Sequence, residues 1–413
     1  MKTVFLSMLA IAALASCSRQ EFIDPHGGPQ EGDKMLVDIT LGNGEMTRAQ
    51  GVPGVDGTEE KTITDITVFF LNSSNQIVSR TFVTGAASLT DDEQNPGHKK
   101  ATVETRTTAT QVMVIANIGE DRTGTGKALN VSTRAQLEAV LQDLVFEDGT
   151  PPALVPFQEK NNLLMSGEGT VLPMTPGGTP TDPFTSTASV DLNYIAAKIT
   201  LKSITVTDKA QGEYGDGKDF IFTKAYLLNV QTKSHYFPTY LPATADLAFA
   251  NGTWDTDAWG ASDLPIVADF EQELTITSIT PNAAVENLAH WYVFENKPAS
   301  TAKADNPTIL AVQVKWLEEK QGEYRADGTL VDANKYVNKN FNVIFAPGDK
   351  DIIEAGKAYD VALTFSGDFR PGTSGGNAGG GEDKPDEPNI KANVTVTVTP
   401  ADWTPETTEK PFE

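Results

Sequence analysis

Met35-Leu36-Val37-Asp38-Ile39-Thr40-Leu41 decides how this chain is read. Met35, Val37, Ile39 and Leu41 alternate with Leu36, Asp38 and Thr40, and a period of two puts successive side chains on opposite faces of an extended backbone. The segment is therefore expected to be a strand with one core-filling face. Its flanks add a second meaning. Upstream, Lys2 precedes an apolar run from Val4 to Leu14 that ends in Leu14-Ala15-Ser16-Cys17. Downstream lies Gly42-Asn43-Gly44-Glu45-Met46-Thr47-Arg48-Ala49, rich in glycine and with an arginine near its end. An export signal, a strand and a cleavable segment stand in that order, so the strand is expected to be removable from the body that follows it.

The apolar run is too short for a membrane-spanning helix. With its positive charge and small-residue end it reads as a secretory signal peptide over residues 1–17. Leu14-Ala15-Ser16-Cys17 resembles the bacterial lipobox, whose cysteine is acylated and becomes the new first residue. Cys17 is the only cysteine of the chain, so it has no internal disulfide partner and suits lipid attachment. Each buried CH2 adds about 0.8 kcal/mol, so several acyl chains on Cys17 would hold a precursor at a membrane until the polypeptide is cut.

At 413 residues the chain is long enough for two domains, and its net charge is −24. That acidity opposes binding to nucleic acid or to anionic membrane surfaces. Plentiful Thr, Val, Gly and Pro with few helical patterns favour an all-β protein with many turns.

Residues 18–48 read as a propeptide, 49–187 as an N-terminal domain, 188–366 as a C-terminal domain and 367–413 as a tether with a last strand. Ile63 to Leu71 and Ile77 to Val83 flank the turn cluster Asn72-Ser73-Ser74-Asn75, which predicts a hairpin. Ala101 to Thr105 alternates, and Gln111 to Ile118 reads as a buried strand. One helix is expected, capped by Ser132 or Thr133 with Gln136 behind it, and carrying the stripe Leu137, Val140, Leu141 and Leu144. The boundary is placed near Thr187, where Ser189 to Leu201 begins a long strand-like run. Further strands are expected at Phe220–Val230, Leu274–Ile279, His290–Glu295, Thr308–Trp316, Tyr336–Phe345 and Tyr359–Phe365. Short strands between turn clusters argue for a β-sandwich in each half.

Gly367 to Pro388 is rich in Gly, Pro, Asp and Glu and lacks any apolar period, which predicts a flexible tether. After it Ile390, Ala392, Val394, Val396 and Val398 alternate with polar residues. This second alternating strand either folds back on its own domain or reaches into another molecule.

Several stretches together resemble one family. They are the lipobox, Thr47-Arg48-Ala49 after a first strand, Tyr194-Ile195-Ala196-Ala197-Lys198-Ile199, Trp291-Tyr292-Val293-Phe294-Glu295-Asn296, and Val394-Thr395-Val396-Thr397-Val398 with Asp402-Trp403. In this order they are similar to the fimbrillin family, the FimA-type shaft subunits of the type V pilus of Bacteroidales. The resemblance covers nearly the whole chain and implies two transthyretin-like β-sandwich domains in tandem. It also implies a lipoprotein precursor carried to the outer membrane and cut there by an arginine-specific, trypsin-like protease. Arg48 is then the cut position and Ala49 the first mature residue. The cut removes the strand of Met35, Val37, Ile39 and Leu41, and the C-terminal strand of a neighbouring copy or related pilin fills the groove. Tyr194 departs from the arginine expected there. The product is a cell-surface fimbrium that supports adhesion.

The physics of the two strands agrees. Uncovering Met35, Val37, Ile39 and Leu41 exposes apolar surface worth about 1.5–3 kcal/mol per side chain, on the order of 6–12 kcal/mol in all. That rivals the whole stability of a typical domain, so a cut subunit needs a replacement strand.

No catalytic constellation, metal set or cofactor motif is found. His26, His98, His235 and His290 are scattered. Gly372-Thr373-Ser374-Gly375-Gly376 lies in the tether and lacks the strand-turn-helix setting of a nucleophile elbow. Gly212 to Lys218 has P-loop spacing, but Asp219 stands where Ser or Thr should hold Mg2+. Asp255 and Asp257, between Trp254 and Trp259, suit either a solvated loop or a calcium or sugar contact. The alternative function is therefore a glycan-binding surface lipoprotein that keeps its Cys17 anchor.

Overall fold

The structure is a computed structural model. It describes residues 21–22, 32–43, 62–93, 98–143, 163–175, 183–207, 214–215, 218, 220–231, 233–237, 249–250, 270–299, 305–346, 352–365 and 394–402. The principal strands of the N-terminal half are β1 (Lys34–Asn43), β2 (Asp65–Leu71), β3 (Ile77–Thr84), β4 (Lys99–Arg106), β5 (Gln111–Ala116), β6 (Met165–Thr170) and β7 (Phe184–Tyr194). Those of the C-terminal half are β8 (Ala197–Val206), β9 (Phe220–Leu228), β10 (Ala284–Val293), β11 (Thr308–Glu319), β12 (Lys335–Phe345), β13 (Lys357–Phe365) and β14 (Val394–Asp402).

The N-terminal strands form one continuous sheet in the order β3-β2-β5-β6-β7-β1-β4, with the short strands Glu21–Phe22 and Thr90–Asp91 at its two ends. The sheet folds over a shared core. Ile66, Val68 and Phe70 of β2 and Val112 and Val114 of β5 belong to the same buried cluster as the inward residues of β1. Ser79 of β3 and Thr105 of β4 meet across it, their hydroxyls 2.6 Å apart. Both faces of β2 are buried, which is why Asp65–Leu71 reads as an apolar run rather than an alternation. Its hairpin to β3 turns on Asn72 and Asn75. Asn75 has φ 59, and Asn72 Oδ1 accepts hydrogen bonds from the backbone N–H groups of Ser74 and Gln76.

The expected helix is real but short, Arg134–Glu138. Thr133 caps it and accepts from the Gln136 backbone, while Gln136 Oε1 accepts from Ser132 N at 2.9 Å. The stripe does not continue down a helix. Leu137 is buried and Val140 packs against the core, but Leu141 is exposed in a strand, Leu141–Asp143, that pairs with Lys233–His235. Leu144 lies outside the described residues.

The run from Ser189 to Leu201 is two strands, not one. β7 ends at Tyr194, and Ile195 and Ala196 carry the chain into β8. The C-terminal half has one sheet in the order β10-β8-β13-β14 and another made of Glu271–Glu273, β9, β11 and β12. Phe222 and Phe341 pack edge-on against Phe365 between them, with ring centroids 4.9 and 4.8 Å apart. Leu274–Ile279 is not a strand. Leu274 and Ile276 are buried, but the segment is tied in by single bonds, such as Tyr214 Oη to the Ile276 carbonyl at 2.5 Å, rather than by a ladder.

The two halves meet where β7 passes into β8. Gly356 N donates to the Ala196 carbonyl at 2.9 Å, and Tyr292 and Ala358 pack into the N-terminal core. Arg122 Nη1 donates to Tyr236 Oη at 3.1 Å across the same junction. Among the described residues no helix is long and apolar enough to cross a membrane.

Candidate functional site

β1 lies inside its sheet. It pairs in parallel with β7 from Met35–Phe184 to Asn43–Leu192, and antiparallel with β4 from Lys34–Arg106 to Leu41–Lys99. Both of its edges are therefore occupied by backbone hydrogen bonds. Met35, Val37, Ile39 and Leu41 are all buried, at 1% relative exposure or less. They pack with Val103 of β4 and with Ala188, Val190 and Leu192 of β7. The expected core-filling face is thus present on a strand from the first tenth of the chain.

Apart from Leu36, the outer side of β1 is polar. Thr102 Oγ1 donates to Asp38 Oδ1 at 2.6 Å, and Lys34 Nζ lies 2.9 Å from Glu104 Oε1. A cavity of about 470 Å³ lies against this side, lined by Asp38, Thr40, Lys100 and Thr102 among others. At the entry to the strand, Asp33 N donates to Thr107 Oγ1 at 3.1 Å, and Arg106 Nη1 donates to the Gly32 carbonyl at 3.0 Å. At the exit, Gly42 is wedged between two side chains. A Cβ there would lie 2.9 Å from Asp191 Oδ1 and 3.3 Å from His98 Cε1.

The wall formed by β7 depends on two glycines that sequence reading did not single out. A Cβ on Gly167 would lie 2.2 Å from the Asp191 carbonyl oxygen, and one on Gly169 2.2 Å from that of Ser189. Hydrogen at both positions lets β7 cross β6 in contact and carry on to line β1. The motif Gly167-Glu168-Gly169 was the available signal, since close backbone approach is a standard use of glycine within a strand.

Of the C-terminal alternation, Val394, Val396 and Val398 fall in β14, while Ile390 and Ala392 lie outside the described residues. Within the single chain β14 pairs antiparallel with β13, Val394 in register with Phe365, Val396 with Leu363 and Val398 with Val361. Among the described residues it is the last strand of its sheet, held on one edge. Cys17, Arg48, Ala49, Trp254, Asp255, Asp257 and Trp259 lie outside the described residues. Among the described residues no three His, Cys, Asp or Glu gather as a metal site. His290 stacks edge-on to Tyr292 at 5.6 Å, and His235 lies in the strand paired with Leu141–Asp143.

Comparison with known proteins covers almost all of this architecture. The family model for the C-terminal domain of FimA-like major fimbrial subunit protein matches residues 196–403, about half of the chain. The model for major fimbrial subunit protein (FimA) matches residues 36–208, from β1 through β8. Among solved structures, a candidate cell-adhesion protein of Bacteroides eggerthii is 25% identical, with 91% of this chain and 98% of that one covered and a TM-score of 0.59. A candidate cell-adhesion protein of Parabacteroides distasonis has the same fold at 18% identity, with 92% and 100% covered and a TM-score of 0.53. No protein of curated function matches the sequence.

Proposed function

Because this chain belongs to the FimA-like major fimbrial subunit family of Bacteroidales, a family of structural and not enzymatic proteins at the cell surface, we propose that it is a shaft pilin assembled by exchange of β1 for the C-terminal strand of another copy. The precursor is exported by residues 1–17, acylated on Cys17 and held at the outer membrane by that lipid. An arginine-specific, trypsin-like protease cuts after Arg48, leaving Ala49 as the first residue. The cut frees β1 from the covalent chain and removes the lipid with it.

One observation carries this proposal: β1 is an interior strand with both edges paired and every inward side chain buried, yet it lies N-terminal to the expected cut. Its loss would open a groove between β7 and β4 and expose apolar surface worth on the order of 6–12 kcal/mol. A strand that alternates as Ile390 to Val398 does is a chemically matched replacement, with main-chain bonds for affinity and alternate pockets for register. β14 is suited to leave home because, among the described residues, one of its edges alone is bonded there. Head-to-tail repetition of such a link makes an open filament.

The test is the N-terminal residue of the protein recovered from the cell surface, for the parent and for Arg48→Ala. The expected result is Ala49 in filaments of the parent and an unassembled, lipid-anchored Arg48→Ala protein beginning at Cys17. Filaments built from chains that still contain residues 34–43 would overturn the proposal.

A further inference from the structure

Five large apolar side chains stand well exposed among the described residues, and all but Leu141 form two pairs. Leu172 and Met174 are 54% and 42% exposed, and Tyr324 and Leu330 are 72% and 46% exposed. Leu172 and Met174 are two residues apart on a short extended segment bonded to β7, Leu172 N to the Thr187 carbonyl and Thr175 N to the Thr185 carbonyl. Tyr324 and Leu330 are cross-strand partners in the hairpin that joins β11 to β12, so they share a face.

That hairpin is held rigidly. Arg325 Nε and Nη2 donate to the two carboxylate oxygens of Glu319 at 2.9 and 2.7 Å. Arg325 N bonds the Thr329 carbonyl, Val331 N bonds the Glu323 carbonyl, and Asp327 Oδ1 accepts from Thr329 N at 2.9 Å. Gly322 and Gly328 take up positive φ at its bends. An aromatic and an aliphatic side chain are thus presented to solvent on a preorganised arm.

Each pair lies at the end of its own half that is away from the junction. β7 reaches the junction at Tyr194, and Leu172, bonded to Thr187, sits roughly 20 Å back along that strand at ~3.3 Å per residue. In the C-terminal half, Phe345 of β12 contacts Tyr359 on the junction side, and the hairpin extends from the other end of β12, past Phe341 and Lys335. Phe365, where β13 ends and the chain departs toward β14, packs on Phe341 at that same outer end.

We propose that the Tyr324–Leu330 hairpin docks on Leu172 and Met174 of a second copy of this chain, the copy whose groove receives its C-terminal strand. The inference rests on strand exchange as set out above. It follows from where things lie. The segment that delivers the strand leaves from the hairpin end. The groove it enters is walled by β7, which also holds the Leu172–Met174 segment. An exchanged strand fixes which copies are joined. Apolar pair against apolar pair fixes how they sit, and the contact is heterologous, as a filament requires.

The test places cysteines at both ends. Cys17 is the only native cysteine and is lost with residues 1–48, so Leu172→Cys with Tyr324→Cys gives thiols of known position. Protein cut at Arg48 is polymerised, treated with a short bismaleimide and boiled in SDS. A covalent ladder is expected from the double variant, and monomer from either single variant. In parallel, Tyr324→Ser with Leu330→Ser should leave the melting temperature of the uncut chain unchanged and lower polymer yield at least tenfold. Polymer without cross-links, or cross-links in a single variant, would overturn the contact while leaving strand exchange standing. Failure of the parent protein to polymerise would overturn strand exchange and this contact with it.

Discussion

Leu363 of β13 lies in register with Val396 of β14, and among the described residues nothing pairs on the far side of β14. Ile39 of β1 is instead flanked on both sides, by Ala188 of β7 and Ala101 of β4. The two alternating strands of this chain thus differ in how firmly they are held, and the difference can be measured. Val396→Asp should cost the uncut chain less than Ile39→Asp does, because the described residues pair β14 along one edge and β1 along both. Ile39→Asp buries an unpaired charge and should cost several kcal/mol. After the cut the order reverses: the chain carrying Val396→Asp should form no polymer. A ladder of normal length from that variant would mean that another segment is donated.

Ile39→Ala tests removal of β1 by an effect that disappears. Ile39 is fully buried, and truncating such a residue to Ala costs about 2–5 kcal/mol. Denaturant titration of the uncut chain should show that loss. Once the chain is cut and assembled, the residue is gone, and polymer from the variant should match polymer from the parent in stability. An equal deficit before and after the cut would mean that β1 stays with the body.

The carboxyl of Asp65 gives the N-terminal domain a pH dependence. Burial raises its pKa above the ordinary aspartate value, partly offset by hydrogen bonds from Gly119 N and Thr64 Oγ1. The folded chain therefore holds this proton to higher pH than the unfolded chain does. The sign follows: the contribution to stability is fully present below the unfolded pKa and is lost as pH rises through the raised folded value. Stability of the uncut protein should decline as pH rises from the ordinary aspartate pKa through the raised one, and Asp65→Asn should flatten the decline. The same slope in both proteins would remove Asp65 as its source.

Much of this was legible from local pattern, and the remainder was not local. The alternation of Met35 to Leu41 announced a one-sided strand, and Asn72 to Asn75 announced the hairpin turn. Leu141 has helical spacing from Leu137, which predicts a longer helix than Arg134–Glu138, yet the chain at Leu141 is drawn into pairing with His235, far away in sequence. Periodicity has no access to such a partner. For the same reason the parallel neighbour of β1 was hidden. β7 follows β1 by well over a hundred residues, and in sequence its inward residues Ala188, Val190 and Leu192 stand at the opening of the second half. Val394, Val396 and Val398 showed that a strand would form, but not which edge it would occupy.

Gly167 and Gly169 make the last and strictest demand on the groove. A methyl group at either position would sit 2.2 Å from a β7 carbonyl oxygen, and that neighbour is backbone, not a side chain that can swing away. β7 would have to lift from β6. Overpacking of this kind costs typically 1–3 kcal/mol, occasionally more. The damage should not stay at the crossing, because Asn193 and Tyr194 pair with β6 while Phe184 to Leu192 of the same strand pair with β1. Lifting β7 therefore displaces one wall of the groove. Gly169→Ala should lower the denaturation midpoint of the uncut chain and slow assembly of the cut one. Gly85→Ala is the control. Gly85 has nothing within 4 Å of a Cβ, and its φ of 86 means that the change costs backbone strain alone, away from the groove. The two variants should be brought to equal stability by choice of denaturant and compared for polymerisation rate. Gly169→Ala is expected to remain several-fold slower. Equal rates at equal stability would show that the crossing supports the fold but does not shape the groove.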